Sequence, residues 1–243
     1  MLDLLCVGDS VVDIFLKINE NNPNFGLDKE ENKLFVSYGE KINVEKHIMY
    51  IGGNATNTSV GVSRLSLNVG IYAEIGKDEF SQKILTKLKN ENVNIDLIIQ
   101  TENENTSFSV GINYKGERTL FVEHVKRGHD FNFENVSAKY IYLTSLGDVW
   151  EKAYKNTLHF IDNNDTKLAF NPGTLQIEKK DKLITDIIEK TDYLFLNKQE
   201  AEKILYNETL DLANNGNSHI KKLLYGLKSL GAKNVIITDS KNG

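Results

Sequence analysis

From residue 139 onward the sequence alternates short apolar runs with longer amphipathic ones, and this rhythm limits the fold more than any other feature. Apolar runs fall near residues 139–144, 167–171, 192–196 and 233–238, with helical patterns near 149–163, 180–190, 198–205 and 219–230. Strands separated by helices favour a parallel sheet covered by helices on both faces. The opening run at 2–8, Leu2 to Gly8, reads as a further buried strand. A chain of 243 residues, 40% hydrophobic and 26% charged, can bury the core of one α/β domain and carry an appendage.

Three stretches stand outside this rhythm: 11–18, 34–51 (extended at 34–38 and 46–51) and 107–125. In the last, Phe108, Val110, Ile112 and Tyr114 alternate with Ser109, Gly111 and Asn113, the period of a half-buried strand. Lys115-Gly116-Glu117 supplies a turn and Arg118–Val125 returns, which predicts an antiparallel hairpin. The three stretches are expected to form a small β lid. The polar stretch Asn19–Asn32 reads as a surface loop. Helices are expected over 54–66 and 78–92, with a strand over 68–75.

Gly52-Gly53-Asn54-Ala55-Thr56-Asn57 joins an extended run to a small-residue helix. Paired glycines permit positive φ and let a ligand approach the main chain without meeting a Cβ. Asn54 reads as the N-cap, with helix N–H groups facing a small hydroxylated or anionic ligand. The plain alternative is an ordinary strand–turn–helix junction.

The formal charge of −5 offers no electrostatic footprint for nucleic acid. No apolar run spans a bilayer and no charged-then-apolar leader opens the chain, so cytoplasm and no membrane partner are expected. Cys6 is the only cysteine, which excludes an internal disulfide and a cysteine-rich metal site. There is no GxxxxGK[ST] loop and no GxGxxG after the first strand, against a P-loop kinase or a Rossmann dehydrogenase. The five histidines lack ligand-like spacing, and His124 and His129 are expected on the surface of the lid region.

Gly8-Asp9-Ser10-Val11-Val12-Asp13, then Gly52 to Asn57, then Glu74-Ile75-Gly76-Lys77-Asp78-Glu79-Phe80 occur in an order that resembles the ribokinase-like (PfkB) carbohydrate and nucleoside kinases. The resemblance extends, with gaps, over the whole chain. It implies a three-layer α/β/α body with a mostly parallel sheet and a β lid. It also implies transfer of the ATP γ-phosphoryl group to a sugar or nucleoside hydroxyl, with Mg²⁺. On the acceptor side it points to Asp13, Gly52, Gly53, Asn54, Asn57 and Arg118. A carboxylate such as Asp13 can accept strong hydroxyl hydrogen bonds, although a turn or edge-strand aspartate is the plain reading. Arg118 equally suits a cross-strand ion pair. On the nucleotide and phosphate side the resemblance points to Asn171, Asn197, Thr238 and Gly243, with Glu200 toward magnesium. Hydrated Mg²⁺ needs only one or two carboxylates besides phosphates. For Asn171 the plain alternative is a strand-end turn; for Asn197 and Glu200 it is a capping box.

Two departures qualify the match. Many members have Gly where Ser240 stands. The family's Gly-Ala-Gly-Asp motif, which supplies the anion hole and the base, belongs after the strand ending at Thr238 and does not occur before Gly243. Residues 1–243 are therefore expected to be a single incomplete kinase domain, inactive alone, with a homodimer through the lid in the complete protein. The alternative is a short, non-catalytic sugar- or nucleotide-binding α/β protein. An unrelated α/β domain would form no lid.

Overall fold

The structure, a computed structural model, describes residues 1–207, 217–240 and 243. Its first half runs β1 (Leu2–Val7), β2 (Val11–Ile18), β3 (Phe25–Asp28), β4 (Lys33–Val36), β5 (Val44–Gly52), α1 (Asn54–Arg64), β6 (Val69–Tyr72), β7 (Glu74–Gly76), α2 (Glu79–Asn90), β8 (Ile99–Thr101), β9 (Phe108–Tyr114) and β10 (Glu117–Glu123). The second half runs β11 (Ala138–Thr144), α3 (Glu151–Asp162), β12 (Lys167–Asn171), α4 (Thr174–Glu178), α5 (Lys182–Lys190), β13 (Tyr193–Asn197), α6 (Lys198–Asn207), α7 (Asn217–Ser229) and β14 (Asn234–Thr238).

The body is a parallel sheet of order β14-β13-β12-β11-β1-β6. β1 explains why its sequence is a run rather than an alternation. Leu5 and Val7 pack with Trp150, Tyr154 and Phe170, whereas Cys6 packs on the other face with Ala55, Ile84 and Leu88. Both faces are covered, so every position wants an apolar side chain. α2 starts where Asp78 accepts the Ser81 N–H at 2.8 Å and the Ser81 hydroxyl returns to the Asp78 N–H, a reciprocal cap.

The lid is a mixed sheet of order β10-β9-β2-β5. β2 runs antiparallel to β5 and parallel to β9, and β9 and β10 form the antiparallel hairpin. Lys115 and Gly116 take φ of +50° and +83°, the paired left-handed residues that a tight two-residue hairpin demands.

Several boundaries differ from the sequence reading. Of the stretch 34–51, only Val44–Gly52 enters the lid sheet. Lys33–Val36 pairs instead with Phe25–Asp28, inside the stretch read as a surface loop. Phe25 is buried edge-on against Tyr114, ring centroids 5.1 Å apart, and forms a small core with Ile18. That contact holds the extra hairpin beneath the lid. The strand expected over 68–75 breaks at Ala73, because β7 leaves the body sheet to pair with β8. The helix expected over 180–190 begins at Lys182, and Lys180 at φ +53° separates it from α4.

Candidate acceptor floor and nucleotide edge

Because the body strands are parallel, β1, β11, β12, β13 and β14 all finish at one edge. Register places Val7 beside Leu143, Thr144 beside Asn171, and Asn197 beside Thr238. Side chains continue the ladder beyond the last backbone bonds. Asn54 Nδ2 donates to Thr144 Oγ1 at 3.2 Å and to Ser145 Oγ at 3.4 Å. Thr144 Oγ1 donates to the Asn171 carbonyl at 2.9 Å. Asn171 Nδ2 donates to the Phe195 carbonyl at 2.9 Å, while the Tyr142 hydroxyl donates to Asn171 Oδ1 at 3.3 Å. Ligands of open α/β sheets collect beyond such carboxyl ends.

At the glycine step the N-cap of α1 is Gly53, not Asn54, and no side chain caps the helix. The cause is steric. Gly53 has φ +92°, and a Cβ there would lie 2.3 Å from the Asp9 carbonyl oxygen. The chain can therefore turn over the end of β1 only without a side chain. Asn54 falls one position inside the helix and braces the edge through Thr144 and Ser145. At Gly52 the neighbour is a side chain: a Cβ there would lie 2.0 Å from Asp13 Oδ2. The Asp13 carboxylate thus lies directly on the glycine step, and the Ser109 hydroxyl from β9 donates to Asp13 Oδ1.

Ser109 was not singled out in the sequence. It lies on the polar phase of the alternating strand, ninety-six residues from its partner. Arg118 forms no ion pair among the described residues; its guanidinium lies 5.5 Å from the Phe15 ring centroid. Asp13 and Phe15 are two apart on β2 and share a lid face, which puts Arg118 next to that face. Asn57, in the first turn of α1, is exposed and makes no side-chain hydrogen bond among the described residues. It lines a cleft of about 680 Å³ with Tyr50, Ile51 and Arg64. Asp9, whose carbonyl oxygen underlies Gly53, is raised to about 7 by burial, against the Gly147 N–H and the positive charge of Arg127.

At the other end of the edge, Asn197 and Glu200 form a reciprocal box. The Asn197 N–H donates to Glu200 Oε2 and the Glu200 N–H to Asn197 Oδ1, each at 2.8 Å. Burial raises the Glu200 carboxyl and the Asn197 N–H partly offsets it. Among the described residues no three His, Cys, Asp or Glu side chains converge as a metal cluster. Thr238 ends β14 beside Asn197. Ser240 takes φ +52°, a left-handed conformation that a glycine would adopt more cheaply, and Gly243 takes φ +113°. Lys241 and Asn242 lie outside the described residues.

His129 corrects the expectation of a surface residue: it is 2% exposed, and burial lowers its pKa despite Glu74 nearby. His124 is exposed. The Gly76-Lys77-Asp78 motif bonds to the stem of the lid. Asp78 Oδ2 accepts the Thr106 N–H at 2.7 Å while its other oxygen caps α2, so the motif clamps the chain entering the lid.

A parallel three-layer body, a mixed-sheet lid and an aspartate set on paired glycines define a lidded α/β protein of the ribokinase-like class. The model of the pfkB family carbohydrate kinases matches residues 4–243. The chain belongs to that family. Nucleoside kinase of Methanocaldococcus jannaschii is 25% identical over 212 residues, 84% of this chain and 62% of the relative. The chain therefore spans less than two thirds of that relative's length. 5-Dehydro-2-deoxygluconokinase of Mesomycoplasma hyopneumoniae is 38% identical over 52 residues, 21% of this chain and 15% of its own. Among solved structures, the M. jannaschii nucleoside kinase superposes with a TM-score of 0.70 at 20% identity, covering 100% of this chain and 72% of that one. The Arabidopsis thaliana ribokinase complexed with ribose and ATP superposes with a TM-score of 0.74 at 17% identity, covering 97% and 71%. These two likenesses establish the fold.

Proposed function

We propose that this chain carries the acceptor side and part of the nucleotide side of an ATP-dependent kinase that phosphorylates a hydroxyl of a sugar or nucleoside. The observation that carries this reading is the Asp13 carboxylate lying on Gly52, where a Cβ would displace it. With Ser109 donating to Oδ1, the carboxylate is oriented before a polyol arrives, and its remaining acceptor capacity suits hydroxyl protons. Gly53, Asn54 and the uncapped start of α1 form the floor, Asn57 offers a free amide, and Arg118 reaches from the lid. The lid pieces within 11–18, 34–51 and 107–125 belong, on this reading, to one domain with the body.

Asn171, Asn197, Thr238 and Gly243 lie toward the nucleotide. Glu200 suits a magnesium ion held mainly by phosphates and water, since it offers one carboxylate and no cluster. Such an ion would offset phosphate charge when bound. The sequence holds no Gly-Ala-Gly-Asp, so the 243-residue chain by itself binds an acceptor without turning it over. Positioning is only part of the acceleration; a missing base costs roughly 10²–10⁴-fold and each missing anion-hole donor roughly 10²–10³-fold. Exposed Leu120, Phe121 and Val122 on β10 favour a lid-to-lid homodimer. Among the described residues no helix is long and apolar enough to cross a membrane, and with a single buried thiol this favours the cytoplasm.

Calorimetry with ribose, fructose and adenosine, with and without Mg-ATP, tests the reading. Asp13→Ala should lose on the order of 2–4 kcal/mol of acceptor affinity, and Asn57→Ala less. Equal affinity in the Asp13 variant would remove the assignment. Turnover by the 243-residue chain would mean the base lies elsewhere in it.

A further inference from the structure

The two stems that carry the lid hairpin meet on one buried guanidinium. Residues 102–107 lead from β8 into β9, and residues 124–137 lead from β10 back to β11. Arg127, on the returning stem, is 4% exposed. Its Nη1 donates to the Glu104 carboxylate and its Nη2 to the Asn105 carbonyl, both on the entering stem. Beside it the Val125 N–H donates to Ser107 Oγ at 3.0 Å, again stem to stem.

Each stem is also pinned to the body. The His129 N–H donates to Glu74 Oε2 at 2.8 Å. Asp78 holds Thr106 through both its N–H and its hydroxyl, each at 2.7 Å. A Cβ on Gly76 would lie 2.3 Å from the Glu104 carbonyl oxygen, so β7 is in backbone contact with the entering stem. The field of Arg127 reaches Asp9, whose carbonyl underlies Gly53. One cation on the returning stem therefore holds two acceptors of the entering stem.

A loop closed only for stability needs no buried charge, because desolvating a guanidinium is costly. What the planar fork adds is fixed geometry toward two acceptors at once. That geometry matters here because the Asp13–Ser109 pair spans two strands. The parallel ladder of β2 and β9 sets Ser109 beside Asp13, and the entering stem, with Ser109 only four residues beyond Asn105, fixes where β9 joins that ladder.

We propose that Arg127 is a positioning residue for acceptor binding: it locks the two stems of the lid hairpin to each other, and so fixes the register at which β9 presents Ser109 to Asp13. The proposal rests on the acceptor-site reading above. A point charge cannot serve both acceptors, so the lock depends on the fork and not on charge alone.

The test compares the 243-residue chain with its Arg127→Met and Arg127→Lys variants by hydrogen–deuterium exchange without ligand, then by calorimetry with ribose, fructose and adenosine. Both variants should exchange amides of 108–123 about tenfold faster while amides of β1 and β11 keep their rates. Acceptor affinity should fall by a similar factor. Glu104→Gln, at a side chain that is 37% exposed, breaks the fork with little risk to folding and should accelerate lid exchange severalfold. It decides the matter if the arginine variants do not fold. Unchanged lid exchange, or equal acceleration in lid and body, would overturn the lock. Faster lid exchange with unaltered affinity would overturn the positioning role. Faster lid exchange with no acceptor bound by the parent chain supports the lock and removes the acceptor reading.

Discussion

Replacing Gly53 and Gly52 by alanine separates the fold of the glycine step from its chemistry. At Gly53 the added methyl meets a main-chain atom, the Asp9 carbonyl oxygen, at 2.3 Å, and φ of +92° with ψ of 142° is closed to alanine. Strain in such a region costs about 1–3 kcal/mol, and an overpacked contact about as much again. Gly53→Ala should therefore lose about 3–5 kcal/mol, a large share of an ordinary domain's 5–15 kcal/mol. That corresponds to a fall in Tm on the order of 10 °C. At Gly52 the methyl meets the Asp13 carboxylate, a side chain that can rotate away. Stability should fall by only about 1 kcal/mol, but Asp13 leaves Ser109, and on the proposed reading acceptor affinity falls with it. Urea unfolding with calorimetry on the same samples reads both effects. A Gly53→Ala chain within about 1 kcal/mol of its parent, or a Gly52→Ala chain destabilised as much as Gly53→Ala, would refute the steric account.

Asp9 makes the fold pH-sensitive in an unusual direction. Its carboxyl is held at about 7 in the fold against 3.8 unfolded, so the native state binds the extra proton, and stability falls as pH rises from about 4 to 7. Asp9→Asn should be more stable than the parent at pH 8 by on the order of 2–4 kcal/mol and near it at pH 4; an equal difference at both pH values in urea titrations would contradict this. Cys6 is fully buried, and burial pushes its thiol far above the usual range. Iodoacetamide should label it only in denaturant, and rapid native labelling followed by mass spectrometry would contradict the placement of β1.

The body was legible because its physics is local: a strand buried on both faces must be an apolar run, and from residue 139 such runs alternate with helical periods. The lid hairpin was legible for the same reason, through the alternation from Phe108 to Tyr114 and the Lys115-Gly116 turn. Phe25 and Leu27 were hidden by their setting, since Asn and Asp on either side read as loop while a distant ring, Tyr114, decides their burial. Asn54 misled because a cap rule weighs the side chain, whereas here the space over Asp9 admits only glycine at the turn. Asp13 was visible by its place in a motif, but its partner Ser109 was not. Arg127 and His129 were least visible, because charged residues are buried only by stems that meet in three dimensions.

The side-chain rungs from Asn54 through Thr144 and Asn171 to Phe195 fix a length. Between the ends of β1 and β13 lie three strand spacings, roughly 14 Å at about 4.8 Å each. On the function proposed above, a hydroxyl at one end and a phosphate chain at the other would bridge that interval, and no loop can shorten it without breaking the sheet. The lid obeys no such ruler, since its hairpin hangs on two stems outside the body ladder. Changes of acceptor can therefore accumulate in the lid while the interval to the nucleotide stays constant. Paralogues that diverge in what they phosphorylate should differ in β9 and β10 and agree along this edge.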